Sequence, residues 1–353
     1  MRPTLLLAAA TMALPLFAQE APAGFDLRAT LTAGIVSNGE RTDAGFRSVF
    51  YPTFKLSDHW TVEGSLQLMS QPFFASDLDR NGLTTRFRVL NANLGYSRVW
   101  RKASLVVRAG QMPSAMGSFL LRYDDAQNPL ASAPMEYGYY GGGITTLGLA
   151  GVEADVTAGK WDARAQFTNS SPADARSVFD GGQFGSWSGG TGYTIRQGLH
   201  VGLAGYRGPY LYNEQPFYRP GPGGLRALPA SAWGIDGEWA KGHWNTQGEW
   251  HRFDLAYFHM PTLREDAGYI ETKRVLHPRW FVAARAGYFH PNFRFGGETW
   301  EAVVGYRPSS WQLLKIGYAF EHEQTGGTHN SVTAQLVTTI HPLSLALRQG
   351  FRR

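Results

Sequence analysis

The chain alternates oily and wet residues over long stretches. Phe25, Leu27, Ala29, Leu31, Ala33 and Ile35 are interleaved with Asp26, Arg28, Thr30, Thr32 and Gly34, which puts the two sets on opposite faces of one β-strand. The pattern returns at Trp161 to Thr168, at Trp280 to Tyr288 and at Ser331 to Leu336. No amphipathic helical run interrupts it. Strands of soluble sandwiches average about 5–6 residues, whereas these runs are nearer ten, the length of a tilted strand that crosses a bilayer.

The connections alternate in length. Short ones fall at Ser57 to His59, Trp100 to Ala103, Ala158 to Lys160, Arg196 to Gly198, Ala240 to His243, His277 to Arg279 and Arg307 to Ser310. Long ones are expected at Ser37 to Gly45, Gln71 to Thr85, Gln111 to Gly143, Ser171 to Ser186, Gly208 to Ser231, Ala256 to Ala267, His290 to Gly297 and His322 to Asn330. About sixteen strands lie between them, so the pattern predicts an all-β fold, a transmembrane antiparallel β-barrel with short periplasmic turns and long extracellular loops. Arg86 to Arg98 and Trp250 to Tyr257 alternate poorly, which suggests a bulge or an oligomer contact. Residues 341–353 read as a bulged strand extension or a periplasmic tail, because Pro342 breaks an alternation that Leu343, Leu345 and Leu347 resume.

Trp60, Trp100, Trp161, Trp244, Trp280 and Trp311 all sit beside short connections, as a girdle at headgroup level would require. Residues 1–18 carry Arg2, an apolar run from Leu5 to Leu16 and a small residue, Ala18, before polar Gln19, the form of a signal peptide. That leaves 19–353 as the barrel. Zero Cys excludes disulfides, thiolate metal sites and Cys nucleophiles. A net charge of +5 and a pI near 9.3 lean toward anionic partners without implying nucleic acid.

Charged residues flanked by oily neighbours should point inward, since Arg or Lys facing lipid at midplane costs about 2–4 kcal/mol. The lumen is expected to hold Arg28, Arg47, Lys55, Arg88, Arg108, Arg164, Arg196, Arg285 and Lys315. Asp26, Glu63, Glu153, Asp155, Asp162, Asp236, Glu238, Glu249 and Glu301 should join them. Residues 111–143 form a connection too apolar for a floppy surface loop, and are read as folding inward to constrict the bore. This places Arg122, Asp124, Asp125 and Glu136 near the constriction, with Asp124 and Asp125 facing basic wall residues, Arg108 foremost. The same acids could instead only anchor the loop to wall arginines.

Arg108-Ala109-Gly110-Gln111-Met112-Pro113, the long third loop with Asn128-Pro129-Leu130, and the strand-HPRW-strand hairpin from Tyr269 to Arg285 resemble the Gram-negative outer-membrane porins. More narrowly they resemble the phosphate-selective O/P superfamily and related general porins. The resemblance implies homotrimers, outer-membrane lipid around the barrel and passive, weakly selective diffusion of small hydrophilic solutes or ions, anions among them. The basic ladder of phosphate-selective members is missing, so phosphate specificity is not carried over. No catalysis and no cofactor or metal is expected. Two competing functions draw on other residues: an outer-membrane hydrolase using His251, His259, His290, His322 or His329 near loops, with Glu321, Glu323 and Asp266 as orienting acids, and an adhesive barrel using loops such as Tyr206 to Leu228.

Overall fold

The computed structural model describes residues 24–71, 84–137, 144–145, 147–169, 185–209, 229–257, 260–292, 296–324 and 326–346. The export signal expected at 1–18 lies outside them, as do 347–353 of the tail and 138–143 of the third loop. The chain opens with β1 (Gly24–Ser37), β2 (Thr42–Lys55), β3 (Trp60–Gln71), β4 (Thr84–Val99) and β5 (Ala103–Met112). After the third loop come β6 (Leu149–Ala158), β7 (Trp161–Thr168), β8 (Ser186–Arg196), β9 (Leu199–Pro209) and β10 (Pro229–Lys241). Then follow β11 (Trp244–Tyr257), β12 (Met260–His277), β13 (Trp280–Pro291), β14 (Gly297–Ser309), β15 (Gln312–Glu323) and β16 (Gly327–Ala346). Each strand pairs antiparallel with the next, and β16 pairs with β1 to close the barrel. Closure leaves no free sheet edge.

Alternation decides which face is wet. Thr30 and Thr32 of β1 reach a loop inside the barrel, whereas Ile35, of opposite parity, lies on the outer surface and is exposed. Carried across the ladder, this parity turns Leu94, Val152, Val156, Leu203, Ile270, Ile316 and Leu336 outward, and all are exposed as a lipid-facing belt requires. The six tryptophans beside the short turns are also exposed. Inside, opposite charges meet in directly paired positions: Arg108 with Glu153, Asp155 with Arg164, Glu271 with Arg285, and Arg285 with Glu301.

Three connections expected to be long are short. Between β1 and β2 only residues 38–41 remain, because the Asn38 side chain accepts from the backbone N–H of Glu40 and Arg41 while Gly39 takes φ 91°. The stretch from Ala256 to Ala267 belongs mostly to β11 and β12, where cross-strand pairs Arg264–Asp254 and Arg252–Asp266 replace oily alternation. From His322 to Asn330 the strands likewise continue, β15 to Glu323 and β16 from Gly327. Strand ends that rise past the hydrocarbon need no apolar face, so they read as loop in the sequence. Arg196 ends β8 at the short-turn rim and is exposed.

Pro342 is absorbed by a bulge: pairing passes from Ala29↔Ile340 to Leu27↔Leu343, leaving two residues of β16 opposite Arg28. The weak alternation in β4 has the same cause, a register shift between Ser65 and Leu66 of β3.

Candidate functional site

The connection from β5 to β6 folds into the barrel. Gly110 at the end of β5 has φ 139°, and a side chain there would collide with the β4 backbone at Ala92. Just beyond it, Gln166 of β7 accepts from the Ala115 backbone N–H at 3.1 Å and donates to the Pro113 carbonyl at 2.7 Å. The loop then crosses to the far wall. Glu249 of β11 receives the Ser118 backbone N–H at 2.9 Å, the Ser118 hydroxyl at 2.7 Å, the Tyr269 hydroxyl at 2.6 Å and the Tyr137 hydroxyl. Gly117, at φ 89°, makes room for Tyr137, whose ring and hydroxyl occupy the space a Cβ would take.

From there Arg122 donates to Glu271 at 3.2 Å and to the Tyr269 hydroxyl at 3.2 Å. The Tyr123 hydroxyl hydrogen-bonds the Ser65 hydroxyl of β3 at 2.6 Å. Asp124 accepts from Thr30 at 2.9 Å and Tyr51 at 2.7 Å, with the Arg28 guanidinium 3.8 Å away. Asp125 accepts from Thr32 at 2.7 Å and from the Arg47 guanidinium, whose Nε lies at 2.9 Å. Ala131 and Ser132 give their backbone N–H groups to Glu301 at 2.7 and 3.2 Å, and Arg285 donates to the Ser132 carbonyl at 3.0 Å. Lys315 and Gln335 complete the clasp on β15 and β16 by donating to loop carbonyls.

Glu136 meets His251 of β11 at 3.0 Å, and both are buried. His251 also lies 3.7 Å from Glu249, so one imidazole stands between two carboxylates. These three groups are close enough to hold a cation, but Glu249 already accepts four hydrogen bonds, which leaves its oxygens committed to the clasp. Burial pushes the Glu136 carboxyl up to about 7. Around the loop, Met116, Met135 and Ile144 pack with Phe253, Leu263 and Phe289 of the inner wall.

The expected site residues therefore divide into two sets. Asp124, Asp125, Glu136 and Arg285 are 4 %, 2 %, 2 % and 4 % exposed, sealed between loop and wall. Arg108, Arg122 and Arg164 keep 29 %, 24 % and 27 % side-chain exposure toward the bore. Arg108 does not face Asp124 and Asp125 as expected. It donates to Glu153 at 3.0 Å and also to Asp155, which Arg164 holds at 2.6 Å, because the loop leaves β5 and docks its acids on β1 and β2. His251 is not at a loop but inside the lumen, His259 lies outside the described residues, and exposed His322 makes a 3.4 Å contact with Thr328. Gln166, Gln335, Tyr51 and Glu271 were missed as loop partners, although their positions on the wet parity of regular strands could have flagged them.

No protein-family model matches the chain, and a sequence search of curated proteins finds no relative. Solved structures match it by shape. A loop L8 deletion mutant of OmpT, an outer membrane protein of Vibrio cholerae, aligns at 13 % identity and TM-score 0.61, over 90 % of this chain and 100 % of that one. An anion-selective porin from Comamonas acidovorans aligns at 11 % identity and TM-score 0.60, over 91 % and 100 %. Salmonella typhi OmpF, in complex with daunomycin, aligns at 12 % identity and TM-score 0.60, over 90 % and 97 %. The chain thus has the closed sixteen-stranded fold of outer-membrane porins.

Proposed function

We propose that this outer-membrane barrel is a porin that passes small hydrophilic solutes passively and with weak selectivity, and that it performs no catalysis. The observation that carries this reading is how polar side chains are shared between loop and bore. The loop's hydrogen bonds and ion pairs run to β1–β3, β7 and β11–β16. Meanwhile Arg28, Arg108, Asp155, Asp162, Arg164 and His200 keep between 21 % and 36 % side-chain exposure on the inner wall. A barrel this wide is not filled by its own wall side chains, so partly exposed charges inside it stand in water.

Charges along a pore favour counter-ions electrostatically. Here both signs are present, so the field largely cancels and anions and cations both pass. Arg108, Arg122 and Arg164 supply the positive side; Asp155 and Asp162 supply the negative. The buried acids Asp124, Asp125 and Glu136 act by fixing the loop, and so set the size of the opening rather than its sign. In this reading three copies associate through their outer walls, which light scattering of the detergent-solubilised protein would test.

Recording in planar bilayers decides the function. Discrete conductance steps with a small reversal potential in a salt gradient are expected. Arg108→Ala combined with Arg122→Ala should move that potential toward cation preference at low salt, where screening is weakest. A folded, inserted protein that gives no steps would overturn the proposal.

A further inference from the structure

The barrel's outer surface carries a feature that solute passage does not use. Exposed cations ring the short-turn rim, among them Arg98, Lys102, Lys160, Lys241, Arg274 and Arg279. Asp58 is the one acid in the seven short turns, and Lys55 already holds it at 3.3 Å. No carboxylate pairs with the six cations among the described residues. Three of them lie over aromatic rings of the girdle instead: Arg98 over Trp100 at 5.4 Å, Lys160 over Tyr193 at 5.9 Å and Arg274 over Trp244 at 4.9 Å. At the opposite rim two of the outward cations, Arg252 and Arg264, are paired with Asp266 and Asp254.

An apolar groove starts at Arg274 and Trp244 and climbs the outer wall. Two depressions of about 490 and 350 Å³ share Thr272, Ala284, Ala302 and Tyr318, and so form one furrow that ends beside Trp300 and Phe320. Small Ala284 and Ala302 make its floor, while Ile270, Ile316 and Tyr318 stand up as its banks. The four steps along the strand from Arg274 to Ile270 cover about 13 Å, a depth suited to an acyl chain.

We propose that this furrow binds an anionic phospholipid of the leaflet at the short-turn rim, its phosphate at Arg274 and one acyl chain along Ala284 and Ala302. Charge complementarity selects this occupant. A second copy docking rim to rim would set one basic collar against another, whereas a phosphate relieves the unpaired cations. The proposal stands apart from solute passage, and needs only that the contact between copies leave this furrow uncovered.

Native mass spectrometry of the full processed chain, in detergent with equal amounts of phosphatidylglycerol and phosphatidylcholine, tests it. Retention of phosphatidylglycerol over phosphatidylcholine is expected, falling about fivefold in Arg274→Gln and vanishing when Ala302→Trp is added. Resistance of the barrel to unfolding in cold SDS checks that the variants are folded. If they are not, a salt series on the native chain serves instead: the preference must fall as salt rises. Equal retention of both lipids, a preference indifferent to salt, or a folded double variant that keeps it would overturn the proposal. So would a dimer mass abolished by Ala302→Trp with lipid retention unchanged, which would assign the furrow to a second copy.

Discussion

The Lys315 ammonium donates to the backbone carbonyl of Leu130 at 2.7 Å, across 185 residues of chain. It also reaches the carbonyls of Asp125 at 3.2 Å and Asn128 at 3.3 Å, so one fully buried cation gathers three carbonyls of the inner loop. Hydrogen bonds to a charged group contribute about 1.5–3 kcal/mol. Lys315→Met should therefore loosen the loop's far end, even though it also removes the cost of burying a charge. Noisier single-channel currents and faster proteolysis within the loop are the expected results; currents as quiet as the parent's would show that Lys315 does not hold the loop.

Gly117 and Tyr137 make a second prediction. Alanine at 117 would meet the tyrosine hydroxyl and would also occupy a left-handed conformation that costs a non-glycine residue about 1–2 kcal/mol. Gly117→Ala should expel Tyr137 from Glu249 and lower the temperature at which the SDS-resistant barrel unfolds. Tyr137→Phe, which removes only the hydroxyl, should have a smaller effect. The ordering of the two midpoints is the measurement.

Asp124 and Asp125 invite a test that separates anchoring from selectivity. Both carboxylates are sealed against β1 and β2, so Asp124→Asn with Asp125→Asn should change conductance and current noise far more than reversal potential. Arg108→Ala should do the reverse, because it leaves Asp155 on the bore with Arg164 as its remaining counter-charge and strips buried Glu153 of its Arg108 partner, with Gln166 still on its other oxygen. A large reversal shift in the Asp pair variant would return those acids to the bore.

The barrel was legible because its cause is local. Period-two alternation, tryptophans beside the short turns and the inward parity of Glu249, Arg285, Glu301 and Lys315 all follow from residues a few positions apart. The strand ends near Asp254 and Arg264 were not, since a strand outside the hydrocarbon answers to its partner across the hairpin and not to lipid. The inner loop was half legible. Its apolar content said that it packs, but which wall it packs on depends on contacts such as Asp125 with Arg47, 78 residues apart, and Ser132 with Glu301, 169 apart. Sequence spacing carries no trace of these, and so Arg108, whose inward orientation Leu105, Val107 and Ala109 fix, looked like the partner of acids that dock elsewhere.

Glu136 supplies the pH dependence. Its carboxyl ordinarily titrates near 4.5, and burial in the clasp raises it to about 7, with His251 and Glu249 of β11, Arg285 of β13 and Tyr137 of the loop around it. A folded-state value above the unfolded one means that its contribution to loop docking is complete below about 4.5 and fades as pH rises toward 7. Current noise and loop proteolysis should therefore rise across that window and level off above it. Glu136→Gln keeps the shape without the proton, so its profile should be flat; an unchanged rise in Glu136→Gln would place the titrating group elsewhere in the lumen.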